Sequence, residues 1–149
     1  LAEQGRSVTA VDGSPVGLDK ARQLAAARGV YIDAVVADLA DYPIPADHWD
    51  AIVSIFCHIQ PDLRLDLHRR SVRGLRPGGV FVLEAYTPAQ LRYRTGGPPH
   101  EAMLMTLAGL RQELAGLDFV HAVECEREVV EGRLHHGLGA VVQVVAVRP

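Results

Sequence analysis

The sequence predicts an α/β fold, a mostly parallel sheet with helices on both faces that closes in a C-terminal antiparallel hairpin. Three observations carry the prediction. Short β-branched runs alternate with segments of helical periodicity, and short loops join them, the pattern of right-handed βαβ crossovers. Glycine, proline and aspartate mark the boundaries where one periodicity gives way to the next. The last two apolar runs follow each other with no helix between them, so they must pair antiparallel at one edge of the sheet.

In order along the chain, Leu1–Gly5 reads as the last turn of a helix closed by Gly5. Ser7–Val11 is a short β-branched run, expected to be a strand buried on both faces. Asp12-Gly13 ends it, and Ser14 can cap a helix whose first residue is Pro15. That helix runs to about Arg28, with Leu18, Ala21, Leu24 and Ala25 on one face and Gly29 as its stop. Tyr31–Val36 is the second strand, and Asp50–Phe56 the third, again expected to be buried. A helix spans about Asp62–Leu75, turning Leu63, Leu67 and Leu75 inward and its arginines mostly outward. Arg76-Pro77-Gly78-Gly79 is a tight turn into a fourth strand, Val80–Ala85. Thr87–Pro99 is a long surface loop, Ala102–Ala115 a helix, and Phe119–Val130 with Ala140–Val147 the closing hairpin.

Composition bounds the function. The 149 residues, 48% hydrophobic and 22% charged with a net charge of −3, suffice for one domain with a sizeable core and are unlike a disordered chain. The longest apolar stretches, Ala51–Cys57 and Ala140–Val147, fall well short of the roughly 18 residues of a membrane span. A mildly acidic chain has no overall positive field to attract nucleic acid. Two cysteines, Cys57 and Cys125, are too few for a disulfide framework and point to the cytoplasm.

In open α/β sheets ligands sit beyond the carboxyl ends of the strands. Asp12 stands at the first such end, where a carboxylate can accept from both hydroxyls of a ribose; the alternative is a simple turn former. Asp38 stands at the second, where an acid beside apolar Leu39 suits adenine; the alternative is a loop-entry acid. His58 follows the third strand, either as a structural hydrogen-bonder or as a pocket residue. Arg92, Arg94 and His100 in the long loop could receive an anionic substrate, or be ordinary surface cations. Adjacent His135 and His136 point apart on a strand and have no carboxylate or cysteine at ligand spacing, so no metal site is predicted. The arginine-studded helix after Asp62 reads as a solvated face.

Four segments, Val8–Pro15, Val36–Leu39, Trp49–Ser54 and Leu75–Glu84, occur in the order and at the spacings of class I S-adenosylmethionine-dependent methyltransferases, which the chain resembles from end to end. The resemblance implies a Rossmann-like three-layer sandwich with S-adenosyl-L-methionine as cofactor. It implies that Asp12 holds the ribose hydroxyls, with Gly13 and Ser14 letting the backbone pass close. Asp38 and Leu39 would take the adenine, and Ser54, Ile55 and Phe56 the methionine end. His58, Tyr86 and Tyr93 would face a small-molecule acceptor, with His58 the best-placed general base, since an imidazole titrates near pH 6.5. Tyr86-Thr87-Pro88, Gly96-Gly97-Pro98 and the Glu131–His135 turn look like the tellurite-resistance and thiopurine-like branch.

The family's glycine-rich loop has no counterpart in these residues. We therefore expect residues 1–149 to be a single methyltransferase-like domain lacking its first strand and most of its first helix. That strand would stand between Ser7–Val11 and Asp50–Phe56, and its omission would leave a gap of roughly 10 Å. Two rival readings remain: an NAD-dependent oxidoreductase, which would use Asp12 equally well, and a non-catalytic interaction domain. The open hairpin edge makes a homodimer a further expectation.

Overall fold

The computed structural model describes residues 1–131 and 136–149. The chain folds into two compact units, Leu1–Pro43 and Ile44–Pro149.

The first unit is built around a parallel pair of strands, β1 (Thr9–Asp12) and β2 (Asp33–Val36), in register from Thr9↔Asp33 to Asp12↔Val36. A single 3-10 turn, Ala2–Gln4, precedes them and is closed by Gly5, as expected. Between the strands runs α1 (Pro15–Ala27). Its start follows from local chemistry: Ser14 is extended, and its Oγ accepts from the Gly17 N–H at 3.1 Å, while Pro15 gives up no hydrogen bond at the first helical position. Leu18 and Ala25 are the buried residues of α1, whereas Leu24, expected on the same face, is 58% exposed. A two-stranded sheet offers a helix too narrow a surface to cover the whole apolar stripe, which also leaves Thr9–Val11 half-buried rather than enclosed.

The second unit carries the main core. Its sheet has the order β3-β4-β6-β5, made of β3 (Trp49–Ile55), β4 (Leu75–Tyr86), β5 (Asp118–Val130) and β6 (His136–Val147). β3 and β4 are parallel, and β4–β6 and β6–β5 are antiparallel, so the closing hairpin lies at one edge as its sequence predicts. The turn of that hairpin, including the Gly132–His135 part of the branch resemblance and one member of the histidine pair, lies outside the described residues. Helices α2 (Pro61–Gly74) and α3 (Leu107–Glu113) cover one sheet face. There Phe81, Leu83 and Ala85 of β4 and Val142, Val144 and Ala146 of β6 meet Met105, Leu110 and Leu114, all at most 2% exposed. Burial of each large side chain stabilises by about 1.5–3 kcal/mol.

The opposite face is different. Alternation places Ala51, Val53 and Ile55 of β3 there, and Val53 and Ile55 are 48% and 49% exposed. The expectation of a fully buried third strand is therefore corrected. β1 and β3 belong to different sheets.

Two further departures have local causes. β4 begins at Leu75, earlier than predicted, because Leu75 already pairs with Trp49 before Val80 pairs with Ala51. Arg76–Gly79 loop out opposite the single residue Asp50, held by an Arg76–Asp50 ion pair and by Gly78 N–H donating to Arg148 O at 2.8 Å. Gly78 takes φ 78°, and a Cβ on Gly79 would sit 2.8 Å from Arg76 O and 3.0 Å from Trp49 O, so neither position accepts a side chain without distortion. The Ala102–Ala115 helix is shorter than its leucine spacing implies. It starts where Thr106 Oγ1 accepts from Gly109 N–H, and the preceding residues form a separate 3-10 turn, Glu101–Met103.

Candidate functional site

In the Leu1–Pro43 unit the parallel register brings two acids to neighbouring strand ends. Ala37 N–H donates to Asp12 O at 3.2 Å, which seats the loop bearing Asp38 beside the β1 terminus. Asp12 Oδ1 accepts from Ser14 N–H at 2.7 Å, and Asp38 Oδ1 from Ala40 N–H at 2.8 Å. Each aspartate thus makes the turn of its bland reading, and the same bond fixes the carboxyl plane. Both aspartates are exposed residues. A Cβ on Gly13 would find only Ala37 O, at 3.9 Å, so open space adjoins the backbone beside Asp12. Leu39 is half-buried. Oriented, exposed acceptors beside an apolar side chain and an uncrowded glycine fit a nucleoside: one acid for the ribose diol, one for an exocyclic amine.

In the Ile44–Pro149 unit the residues after β3 form an aromatic stack. Phe56 adopts φ 50°, unusual for a bulky residue, and its N–H donates to Glu84 O at 2.7 Å. The bend stacks its ring on Tyr86, centroids 4.6 Å apart, with His58 on Tyr86 at 5.7 Å. Ser54 is half-buried and Ile55 exposed on the strand leading to it. Tyr86, expected to face the acceptor, is 1% exposed and belongs to the core. Gly97 closes over it: a Cβ there would lie 2.8 Å from the ring. Burial raises the Tyr86 phenol above its ordinary pKa; Arg127 opposes this, while Glu131 and Glu84 add to it.

His58 makes two main-chain hydrogen bonds. Nε2 accepts from Tyr86 N–H at 3.2 Å, so the ring is the Nδ1–H tautomer and donates to Met103 O at 3.0 Å. This is the structural alternative read from sequence, and a general-base role requires the Nε2 bond to open. Tyr93 donates its hydroxyl to Glu126, a bond that raises its pKa. Arg92 and Arg94 are exposed; Arg92 Nε donates to Ala89 O at 3.5 Å, and Arg94 has φ 56°.

Sequence reasoning missed three features of this unit. Gln90, 1% exposed, donates Nε2 to Thr95 Oγ1 and Gly96 O and accepts from Ala140 N–H, pinning the long loop to β6. A glutamine three residues beyond Thr87 in a polar loop carries no signal of burial. Glu84 of β4 accepts from Arg127 Nε at 2.6 Å and Gln143 Nε2 at 3.3 Å, a polar island on the otherwise apolar open face. Arg64, assigned by pattern to an outer surface, is turned inward onto Glu113 of α3, where His68 joins it. No group of histidine, cysteine and acidic residues suited to a metal occurs among the described residues.

No curated protein matches the sequence. Solved structures show the fold. The N-methyltransferase NodS from Bradyrhizobium japonicum, in complex with S-adenosyl-L-homocysteine, is similar at 19% identity and TM-score 0.70, over 96% of this chain and 67% of its own. TehB from Haemophilus influenzae is similar at 14% identity and TM-score 0.77, over 99% of this chain but only 52% of its own. A SAM-dependent methyltransferase from Methanosarcina mazei is similar at 17% identity and TM-score 0.76, over 99% and 84%. These agree with the Rossmann-like class expected from the strand and helix order. The family described as "Methyltransferase domain" matches residues 1–79, more than half of the 149. The chain belongs to that methyltransferase family.

Proposed function

We propose that this methyltransferase moves the methyl group of S-adenosyl-L-methionine to a small-molecule acceptor by in-line displacement. The observation that carries the reading is the pair Asp12 and Asp38. They stand at the ends of adjacent parallel strands, each exposed and with one carboxylate oxygen fixed by its own turn. Asp12 would accept from the ribose hydroxyls beside Gly13 and Ser14, and Asp38 from the adenine amine with Leu39 against the ring. Ser54, Ile55 and Phe56 would take the methionine end. When bound, the cofactor supplies a sulfonium methyl already activated toward nucleophiles, so the protein chiefly orients and excludes water.

Arg92, Tyr93 and Arg94 would receive the acceptor on the loop that Gln90 anchors; Tyr86-Thr87-Pro88 and Gly96-Gly97-Pro98 support the tellurite-resistance and thiopurine-like branch. His58 serves as base only for an acceptor protonated at working pH. A strand outside these residues, added to the open edge of β3, would complete a single domain; the terminal place of β3 in the four-stranded order supports it. The low cysteine count supports a cytoplasmic location, and no helix among the described residues is long and apolar enough to cross a membrane. The exposed β5 edge supports pairing with a second copy, and the charge balance argues against nucleic acid.

Calorimetric titration of the full-length protein with S-adenosylhomocysteine and with NAD tests the reading. Binding of the first alone is expected. Binding of NAD alone overturns it in favour of an oxidoreductase, and binding of neither in favour of an interaction domain.

A further inference from the structure

The α2–α3 contact is polar, although it adjoins the apolar cluster of Leu75, Phe81 and Leu110. Arg64, expected on a solvated face, has a side chain only 12% exposed, against 13% for Glu113 and 3% for His68. Its guanidinium donates to Glu113 from Nε at 3.1 Å and from Nη2 at 2.8 Å, and His68 Nδ1 lies 2.7 Å from the other carboxylate oxygen. Burial pushes the Glu113 carboxyl up, but the bonds from His68 and Arg64 outweigh it and leave the acid below its ordinary pKa. The carboxylate is thus held charged between two donors.

The remaining arm of Arg64 does something that a helix–helix ion pair does not need. Nη1 reaches across to the main chain, at 3.2 Å from Ala102 O and 3.5 Å from Leu104 O. These carbonyls flank Met103, whose own carbonyl accepts from His58 Nδ1. One residue further, Met105 N–H donates to Tyr86 O at 3.0 Å, and Tyr86 N–H donates back to His58 Nε2. Hydrogen bonds joined through the main chain of 102–105 and of Tyr86 therefore link His68, Glu113 and Arg64 to both ring nitrogens of His58.

We propose that Arg64, Glu113 and His68 are positioning residues that fix the tautomer and orientation of the His58 imidazole through the 102–105 main chain. The planar fork of Arg64 can serve the carboxylate and the carbonyls together; a lysine cannot. The 3-10 turn Glu101–Met103 is too short to hold its carbonyls in place unaided. The placement of His58 on the acceptor side rests on the proposed methyl transfer, but its coupling to Arg64 does not.

The test is the imidazole tautomer, read by long-range ¹H–¹⁵N correlation on the full-length protein at a pH where the ring is neutral. The wild type is expected to show His58 as Nδ1–H. Arg64→Met and Arg64→Lys are expected to lose that signature in favour of Nε2–H, while Arg69→Met, on the exposed side of α2, leaves it unchanged. Glu113→Gln, close in shape, carries the same test at smaller perturbation should the Arg64 variants not fold. A wild-type Nε2–H ring overturns the proposal without any variant, and so does a folded Arg64→Met or Glu113→Gln that keeps Nδ1–H. Titration of the wild type with S-adenosylhomocysteine reports separately on the methyl-transfer reading; its failure leaves the tautomer result standing.

Discussion

The two units solve opposite problems. Leu1–Pro43 buries only Leu18 and Ala25 among its apolar side chains, and it presents two acids at strand ends where main-chain turns aim them outward. Ile44–Pro149 holds both clusters of buried apolar residues, and inside it Gln90, His68 and Glu113 are bonded to partners. The first unit owes its arrangement to short-range chemistry, capping and Asx turns. The second owes it to partners far apart in sequence. Where recognition depends on local turns, substitution should alter binding and spare stability; where it depends on the core, the reverse.

The comparison breaks most visibly at Phe81. Phe81→Ala removes a 1%-exposed ring from the main core and is expected to lower unfolding stability by about 3–5 kcal/mol in a urea titration. An effect on the scale of a surface change would show that this core does not hold the unit together. Glu113→Gln comes next, at about 2–3 kcal/mol near neutral pH, because it weakens a mostly buried charged pair. Its pH dependence sharpens the point. The folded-state pKa is lowered, so the contribution is fully present above the ordinary glutamate value and is lost as pH falls through the lower one. The melting-temperature gap between wild type and variant should therefore hold above the ordinary glutamate value of about 4.3 and close as pH falls below it.

In the first unit Asp12→Ala should weaken S-adenosylhomocysteine binding by roughly 10- to 100-fold, the scale of a lost hydrogen bond to a charged group. Its urea midpoint should move little, so a large loss of stability with unchanged affinity would reverse the assignment. Ser14→Ala should cost about 1 kcal/mol through the lost α1 cap, read as faster amide exchange in the first turn of the helix. The smallest effect is expected at Asp19→Ala, whose pairing with Arg22 is about half exposed and should contribute about 0.5 kcal/mol or less to the urea-unfolding stability.

The same division governs what the sequence discloses. Ser14, Pro15, Asp12 and the Gly78-Gly79 turn are legible because the cause lies within three or four residues of the effect. The closing hairpin is legible because two apolar runs without a helix between them have one way to pair. Arg64 is not. Its helix carries many arginines and a balancing aspartate, the signature of a solvated face, and only a glutamate 49 positions away turns it inward. Tyr86 misleads for a related reason: it ends a strand where a ligand could stand, but Phe56 and Gly97 reach it from distant segments and enclose it. Leu24 misleads in the other direction, since helical spacing shows which face is apolar but not how wide a surface awaits it.

The loop between Leu75 and Val80 has a consequence for how this chain could vary over generations. Beyond it, the register of β4 against β3 decides that odd-numbered Phe81, Leu83 and Ala85 meet α2 and α3 while even-numbered Val80, Val82 and Glu84 do not. A one-residue slip of β4 against β3 would exchange the two sets and drive the Glu84 carboxylate into the core, whereas a length change within the looped-out Arg76–Gly79 leaves the pairs from Ala51↔Val80 onward in place. Length change is therefore tolerable at this corner as it is not within Val80–Tyr86, where each residue has a partner on β3 or β6.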